Sequence, residues 1–150
     1  MTRSNAREIA CHLVFEMNFN QTTAGEALEL LMDDSYYPSL AKESEIYEEK
    51  PDAKQLAYIT DIVQGVQAHR QELEGYITKY SVGWQLGRIA RMAVAIMEVC
   101  MYESLYVEDA PISAAINEAV ELTRKYENED VVSFVNGILG GFAREAQQQC

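Results

Sequence analysis

The stretch PISAAINEAVELTRKYENEDVVSFVNGILGGF, residues 111–142, decides the fold. Ile112, Ala115, Ile116, Ala119, Leu122 and Tyr126 recur every three or four positions, which puts them on one face of a helix. Asn117, Glu118, Glu121, Arg124 and Lys125 fall on the opposite side. Pro111 suits the first turn of that helix, where its missing N–H is no loss. Asn128-Glu129-Asp130 ends the helix and offers Asp130 as N-cap for another, whose core face is Val131, Phe134, Val135, Ile138 and Phe142. With Phe134 in the core, its truncation to alanine is expected to cost about 3–5 kcal/mol.

The same period runs upstream. Residues 3 to 19 place Ala6, Ile9, Ala10, Leu13 and Met17 on one helical face, flanked by Arg3 and Arg7 one turn apart. Thr23-Ala24-Gly25-Glu26 has the spacing of a capping box and opens a short helix to about Met32. Ser35 to Pro51, with Tyr36-Tyr37-Pro38 and many acids, reads as a surface connection with at most one helical turn. Asp52 caps a long helical region from Ala53 to Lys79, striped by Leu56, Ile59, Ile62, Val63, Val66, Leu73, Tyr76 and Ile77, and Gly65 is the place where it would bend or divide. After Trp84-Gln85-Leu86-Gly87-Arg88-Ile89, the segment from Ala90 to Leu105 is apolar on most sides, as befits the most buried helix of an all-α fold.

Composition bounds the rest. A chain of 150 residues has room for one domain, and a domain of that size buries about 70% of its unfolded surface. Apolar residues at 48% and charged residues at 24% are near the globular average, which argues against disorder and fibrous architecture. The longest apolar run, Met92 to Met97, falls far short of the roughly 20 residues of a membrane span, and the first residues lack the apolar core of a signal peptide, so a cytoplasmic protein is expected. Cys11, Cys100 and Cys150 include no C-x-x-C pair and fit reduced thiols, the first two as small core residues. The net charge of −12 opposes nucleic-acid binding, because phosphate contacts dominate such affinity. The acidity is partly local, however: residues 33 to 52 hold seven acids against Lys42 and Lys50, while residues 1 to 20 balance Arg3 and Arg7 against Glu8 and Glu16.

Catalytic and metal chemistry find little support. Neither His12 nor His69 has a glutamate three residues before it, and H-E-x-x-H is absent. Glu8 and His12 share a helical face, yet one such pair has too few ligands for zinc and reads as a solvated pair. Gly137-Ile138-Leu139-Gly140-Gly141 lacks the preceding strand and the Lys-Ser/Thr of a phosphate loop, so it reads as a close helix contact or a fraying end. No serine or cysteine is expected to act as a nucleophile. No enzyme, metal or cofactor is expected.

Ile116-Asn117-Glu118-Ala119-Val120-Glu121-Leu122, then Lys125-Tyr126, then Phe134-Val135-Asn136-Gly137-Ile138-Leu139 closely resembles the C-terminal signature of the NusB family. Trp84-x-x-x-Arg88-Ile89, the Tyr102-Glu103 pair before Ala110-Pro111-Ile112, and the opening helix with Arg3, Ala6, Arg7 and Glu8 sit at that family's spacing. The resemblance covers residues 1 to 20 and 53 to 146, leaving 21 to 52 as a variable connecting region within one NusB-like domain.

The resemblance implies a compact all-α fold of about seven helices in two perpendicular bundles. It implies transcription antitermination on ribosomal RNA transcripts, in which the protein pairs with NusE, a basic small-subunit ribosomal protein, and the two bind single-stranded boxA RNA. NusA, NusG and RNA polymerase complete that assembly. The family's arginine-rich first helix carries over to Arg3 and Arg7 as RNA contacts, each expected to contribute about 0.7 to the salt slope for single strands. Asp130 occupies a family position near RNA and is equally an N-cap, and Tyr80 is either a base-stacking aromatic or an interior one. Asn117, Glu118, Phe134, Asn136 and Gly137 belong to the signature and read as structural, the two asparagines by bonding a helix end or neighbouring helix.

Some positions depart from the family pattern. Glu98 stands where many relatives carry arginine, Ala93 and Val94 replace charged positions, and Val131-Val132-Ser133 opens the last helix where basic or polar residues are common. These changes would weaken intrinsic RNA affinity and could create an apolar patch for a protein partner or a homodimer. Two other functions compete: a protein–protein module that has lost RNA binding, and the NusB-like domain of a ribosomal RNA methyltransferase. The second would require a cofactor-binding domain after the helical one.

Overall fold

The computed structural model describes residues 1–33, 45–81, 90–107 and 111–148, and the described residues form seven α-helices and one 3-10 turn. These are α1 (Arg3–Asn20), α2 (Ala24–Met32), the 3-10 turn Glu45–Tyr47, α3 (Ala53–Ala68), α4 (Arg70–Tyr80), α5 (Arg91–Tyr106), α6 (Ile112–Tyr126) and α7 (Glu129–Gln148). Trp84, Arg88 and Cys150 lie outside the described residues.

Local signals set several helix ends. Thr2 caps α1 by accepting the Asn5 N–H at 3.1 Å, and Gln21 closes it in the left-handed region. Thr23 with Glu26 and Asp52 with Gln55 form complete capping boxes at the starts of α2 and α3. Pro111 stands immediately before α6, one residue earlier than the first-turn position. The cap of α7 is a correction: the Asn128 side chain accepts the Val131 N–H at 3.0 Å, and Asp130 lies inside the first turn. Asp130 there carries negative charge at the positive end of the helix, a favourable but weaker role than capping.

The region from Ala53 to Tyr80 divides at His69, not at Gly65. Gly65 serves packing: a Cβ there would lie 2.0 Å from Cζ of Tyr102, so the ring of α5 presses directly on the α3 backbone. The His69 ring stacks on Tyr106 at 4.2 Å where the chain turns from α3 into α4. Gly141 has a similar use, since a Cβ would come within 2.4 Å of the Tyr80 ring; the close helix contact of the glycine-rich stretch is made at this residue, and α7 continues past it.

α5 is the hub. It packs against α1, α3, α4, α6 and α7, and every residue from Ala95 to Glu103 is buried. Around it the helices form two groups, α1 with α2 and α3, and α7 with α4 and α6. The stripe of α1 is fully inside, as are Val135, Ile138 and Phe142 of α7. Phe134 is only half-buried against this core, so its truncation is expected to cost less than the 3–5 kcal/mol of a core phenylalanine. Ala93 and Val132 are buried and Val94 is half-buried, so these positions form no exposed apolar patch. No helix among the described residues is long and apolar enough to cross a membrane.

Candidate nucleic-acid interface

The opening helix offers Arg3 and Arg7 very differently. Arg7 is 8% exposed and lies between two carboxylates. Its Nε and Nη2 donate to the two oxygens of Glu103 at 2.6 and 3.0 Å, a bidentate fork, and Nη1 donates to Glu118 at 2.7 Å. Glu103 also accepts from the Tyr58 hydroxyl at 2.7 Å, and Glu118 from Ser4 Oγ at 2.9 Å. One guanidinium therefore ties α1 to α5 and α6, with α3 joined through Tyr58. Arg3 is exposed, its guanidinium 4.1 Å from the centroid of the Tyr58 ring.

One turn further along α1 the solvated-pair reading of Glu8 and His12 gives way to an internal network. Glu8 is buried and accepts from Lys125 Nζ at 2.7 Å and from the Tyr126 hydroxyl. That hydroxyl sits 2.6 Å from His12 Nε2, and the Tyr47 hydroxyl 2.5 Å from Nδ1. Because Tyr126 gives its proton to Glu8, it must accept from Nε2–H, which leaves Nδ1 to accept from Tyr47. Burial holds the His12 pKa below its ordinary value against the opposing pull of Glu8, so the neutral ring is the form this network needs. Among the described residues no group of three or more His, Cys, Asp or Glu side chains is placed to hold a metal ion.

The remaining sequence-derived site residues scatter. Tyr80 packs on α7, its ring against Gly141 and its hydroxyl donating to Glu145 at 2.5 Å. Asp130 is exposed at the start of α7. Glu118 pairs with Arg7 as described, whereas Asn117, Asn136 and Gly137 are exposed. Neither asparagine makes a side-chain hydrogen bond among the described residues, so the expected bonds to helix ends are not formed; both line a groove between α6 and α7. On the other flank of α6, a cleft of about 300 Å³ is lined by Ser4, Arg7, Glu8, Asn117, Glu118 and Lys125, among others.

Glu103, Tyr58 and Tyr126 were missed as functional candidates by sequence reasoning. The Tyr102-Glu103 pair was the available signal. Successive helical positions point about 100° apart, so one side chain can serve α3 while the next serves α1. Tyr102 indeed donates to Asp61 of α3 at 2.8 Å while Glu103 holds Arg7.

Glu98 is a third buried carboxylate, with 0% exposure. Asn18 donates to its Oε1 at 2.7 Å, while Oε2 has no hydrogen-bond partner among the described residues. Burial pushes its pKa up to about 7 against the lowering effects of Asn18 and Arg70. A folded-state pKa above the ordinary 4.5 means that the group favours folding fully below pH 4.5 and that this contribution is lost as pH rises through 7. Glu98→Gln removes the ionisation, so it should stabilise the protein at pH 8 by roughly 1–3 kcal/mol and have little effect at pH 4.5. Urea denaturation at both pH values checks this; an equal or opposite difference at pH 8 would contradict it.

A sequence profile of the NusB family matches residues 4–144. The transcription antitermination protein NusB of Acetivibrio thermocellus is 36% identical over 140 residues, covering 93% of this chain and 87% of its own. Among solved structures, NusB of T. maritima superposes with a TM-score of 0.74 at 26% identity, covering 97% of this chain and 92% of that one. A structure described as antitermination factors NusB and NusE in complex with dsRNA aligns with a TM-score of 0.73 at 18% identity, over 95% of this chain and 96% of that one, a likeness of fold.

Proposed function

Because this chain belongs to the NusB family of non-enzymatic transcription antitermination factors, we propose that it binds boxA-type single-stranded RNA of ribosomal RNA transcripts only together with a NusE-type basic ribosomal protein. The pair then joins NusA, NusG and RNA polymerase. The observation that carries this reading is the position of Arg7. Its Nε, Nη1 and Nη2 all bond Glu103 or Glu118, so the opening helix offers RNA chiefly Arg3. In a chain with 24 acids and 12 bases, so little cationic surface cannot hold RNA by itself. A basic companion supplies the missing charge, and the acidic surface of this chain attracts that companion. The solved complex described as NusB and NusE with dsRNA supports a NusE-type partner and RNA together. Arg7 then acts as a positioning residue that sets the angle of α1, while Arg3 contacts phosphate.

The experiment is an RNA titration in the presence of the basic partner, with boxA and with a scrambled strand of equal length. Tighter binding of boxA is expected, and Arg3→Ala should lower the salt slope by about 0.7. Equal affinity for the two strands would overturn the reading. A protein–protein module without RNA contact is the second reading, favoured by the engagement of Arg7, Lys79, Arg124 and Lys125 with carboxylates of this same chain.

A further inference from the structure

We propose that the groove between α6 and α7 seats one unpaired base of single-stranded RNA, read by the side-chain amides of Asn117 and Asn136, with Arg144 on a flanking phosphate. This rests on the RNA-binding reading above and names a contact within it. The groove encloses about 340 Å³. Its floor is half-buried aliphatic surface from Ile116, Val120 and Ala143, and its rim is the exposed amides of Asn117, Asn136 and Gln147. Asn136, Ala143 and Gln147 share a face of α7, and Gly140 on that face adds no side chain to fill it.

Three observations favour a base. A nucleobase has apolar faces and an edge of mixed donors and acceptors; an aliphatic floor takes the face, and an amide, which carries both a donor and an acceptor, takes the edge. The side-chain amides of Asn117 and Asn136 make no hydrogen bond among the described residues, so both edges are available. No residue lining the groove is charged, although the chain carries 24 acids, so RNA meets no carboxylate there.

A further observation concerns Arg144. Its Nη1 lies 3.6 Å from where a Cβ of Gly140 would stand, which places the guanidinium at the same face of α7. It is exposed and has no ion pair, hydrogen bond or ring contact among the described residues, unlike Arg7, Lys79, Arg124 and Lys125. A guanidinium beside a base seat suits a phosphate oxygen. Asn117 also lines the cleft on the other flank of α6, where Lys125 stands. Lys125 is held there by Glu8, and Glu118 and Glu121 line the same cleft, so the cation offered beside the groove is Arg144.

The test uses the full chain bound to its basic partner, with a short single-stranded boxA RNA as probe. Asn117→Ala and Asn136→Ala, which break no internal bond, should each weaken RNA affinity roughly tenfold while thermal stability and partner affinity stay unchanged. Arg144→Ala should reduce the salt slope by about 0.7. In NMR spectra of the complex, the side-chain NH₂ signals of Asn117 and Asn136 should move on adding the single strand. Unchanged RNA affinity in both asparagine variants, with the wild type binding normally, overturns the groove and leaves the RNA-binding reading standing. Loss of partner affinity in the same variants without RNA also overturns it, because the groove would then hold a peptide. Failure of the wild-type complex to bind any RNA sinks the parent reading and the groove with it.

Discussion

Arg7→Ala should lower the free energy of unfolding by about 3–5 kcal/mol, far beyond the effect of deleting a surface cation. The arginine is 8% exposed and Glu103 only 2%, so removing the guanidinium leaves a buried carboxylate with just the Tyr58 hydroxyl for company. The unpaired charge, more than the lost attraction, produces the loss. Glu118 contributes less, because its side chain is 39% exposed and solvent screens the pair, so Glu118→Ala should cost under about 1 kcal/mol. Arg7→Lys should recover only part, since an ammonium cannot match the fork on Glu103. The double variant Arg7→Met with Glu103→Leu separates the causes: it should regain most of the stability, because no charge is then left buried. Urea denaturation of the four variants is the check, and a loss below about 1 kcal/mol for Arg7→Ala would mean that the ion pair is not formed.

Phe142→Ala should cost a similar amount, about 3–5 kcal/mol. The ring has 0% exposure and meets Tyr76 edge-on with centroids 4.9 Å apart, so truncation loses transfer energy, an aromatic contact and packing against α4. The rigid surroundings limit collapse into the cavity, since Tyr80 of α4 already presses on the neighbouring Gly141. Thermal melting of Phe142→Ala beside Phe134→Ala tests the ranking. A larger loss at the half-buried Phe134 would contradict it.

The two positions mark what the sequence could and could not reveal. Phe142 was legible because apolar residues at helical spacing report their own face, as did the stripe of α1 and the buried run of α5. The capping boxes at Thr23 and Asp52 were legible or half-legible for the same reason, being complete within four residues. Arg7 was not, because its partners Glu103 and Glu118 lie 96 and 111 residues away, and nothing local distinguishes a buried arginine from a solvated one. The division at His69 was misplaced onto Gly65, since the glycine signal there reports the approach of Tyr102 and not a helix end. Asn128 and Asp130 are both capable caps, and only the observed bond to Val131 chooses between them. Asn117 and Asn136 looked structural because they stand in a signature motif, yet their amides face a groove.

RNA held jointly by two proteins should show itself in equilibrium titration of boxA RNA against this chain alone, the basic partner alone and the two together. Each component should bind weakly and in a salt-sensitive way, and the pair much more tightly, with the gain lost on a scrambled strand. Binding of boxA by this chain alone as tight as that of the pair would mean that the internal engagement of Arg7 has no bearing on function and that RNA is not held jointly.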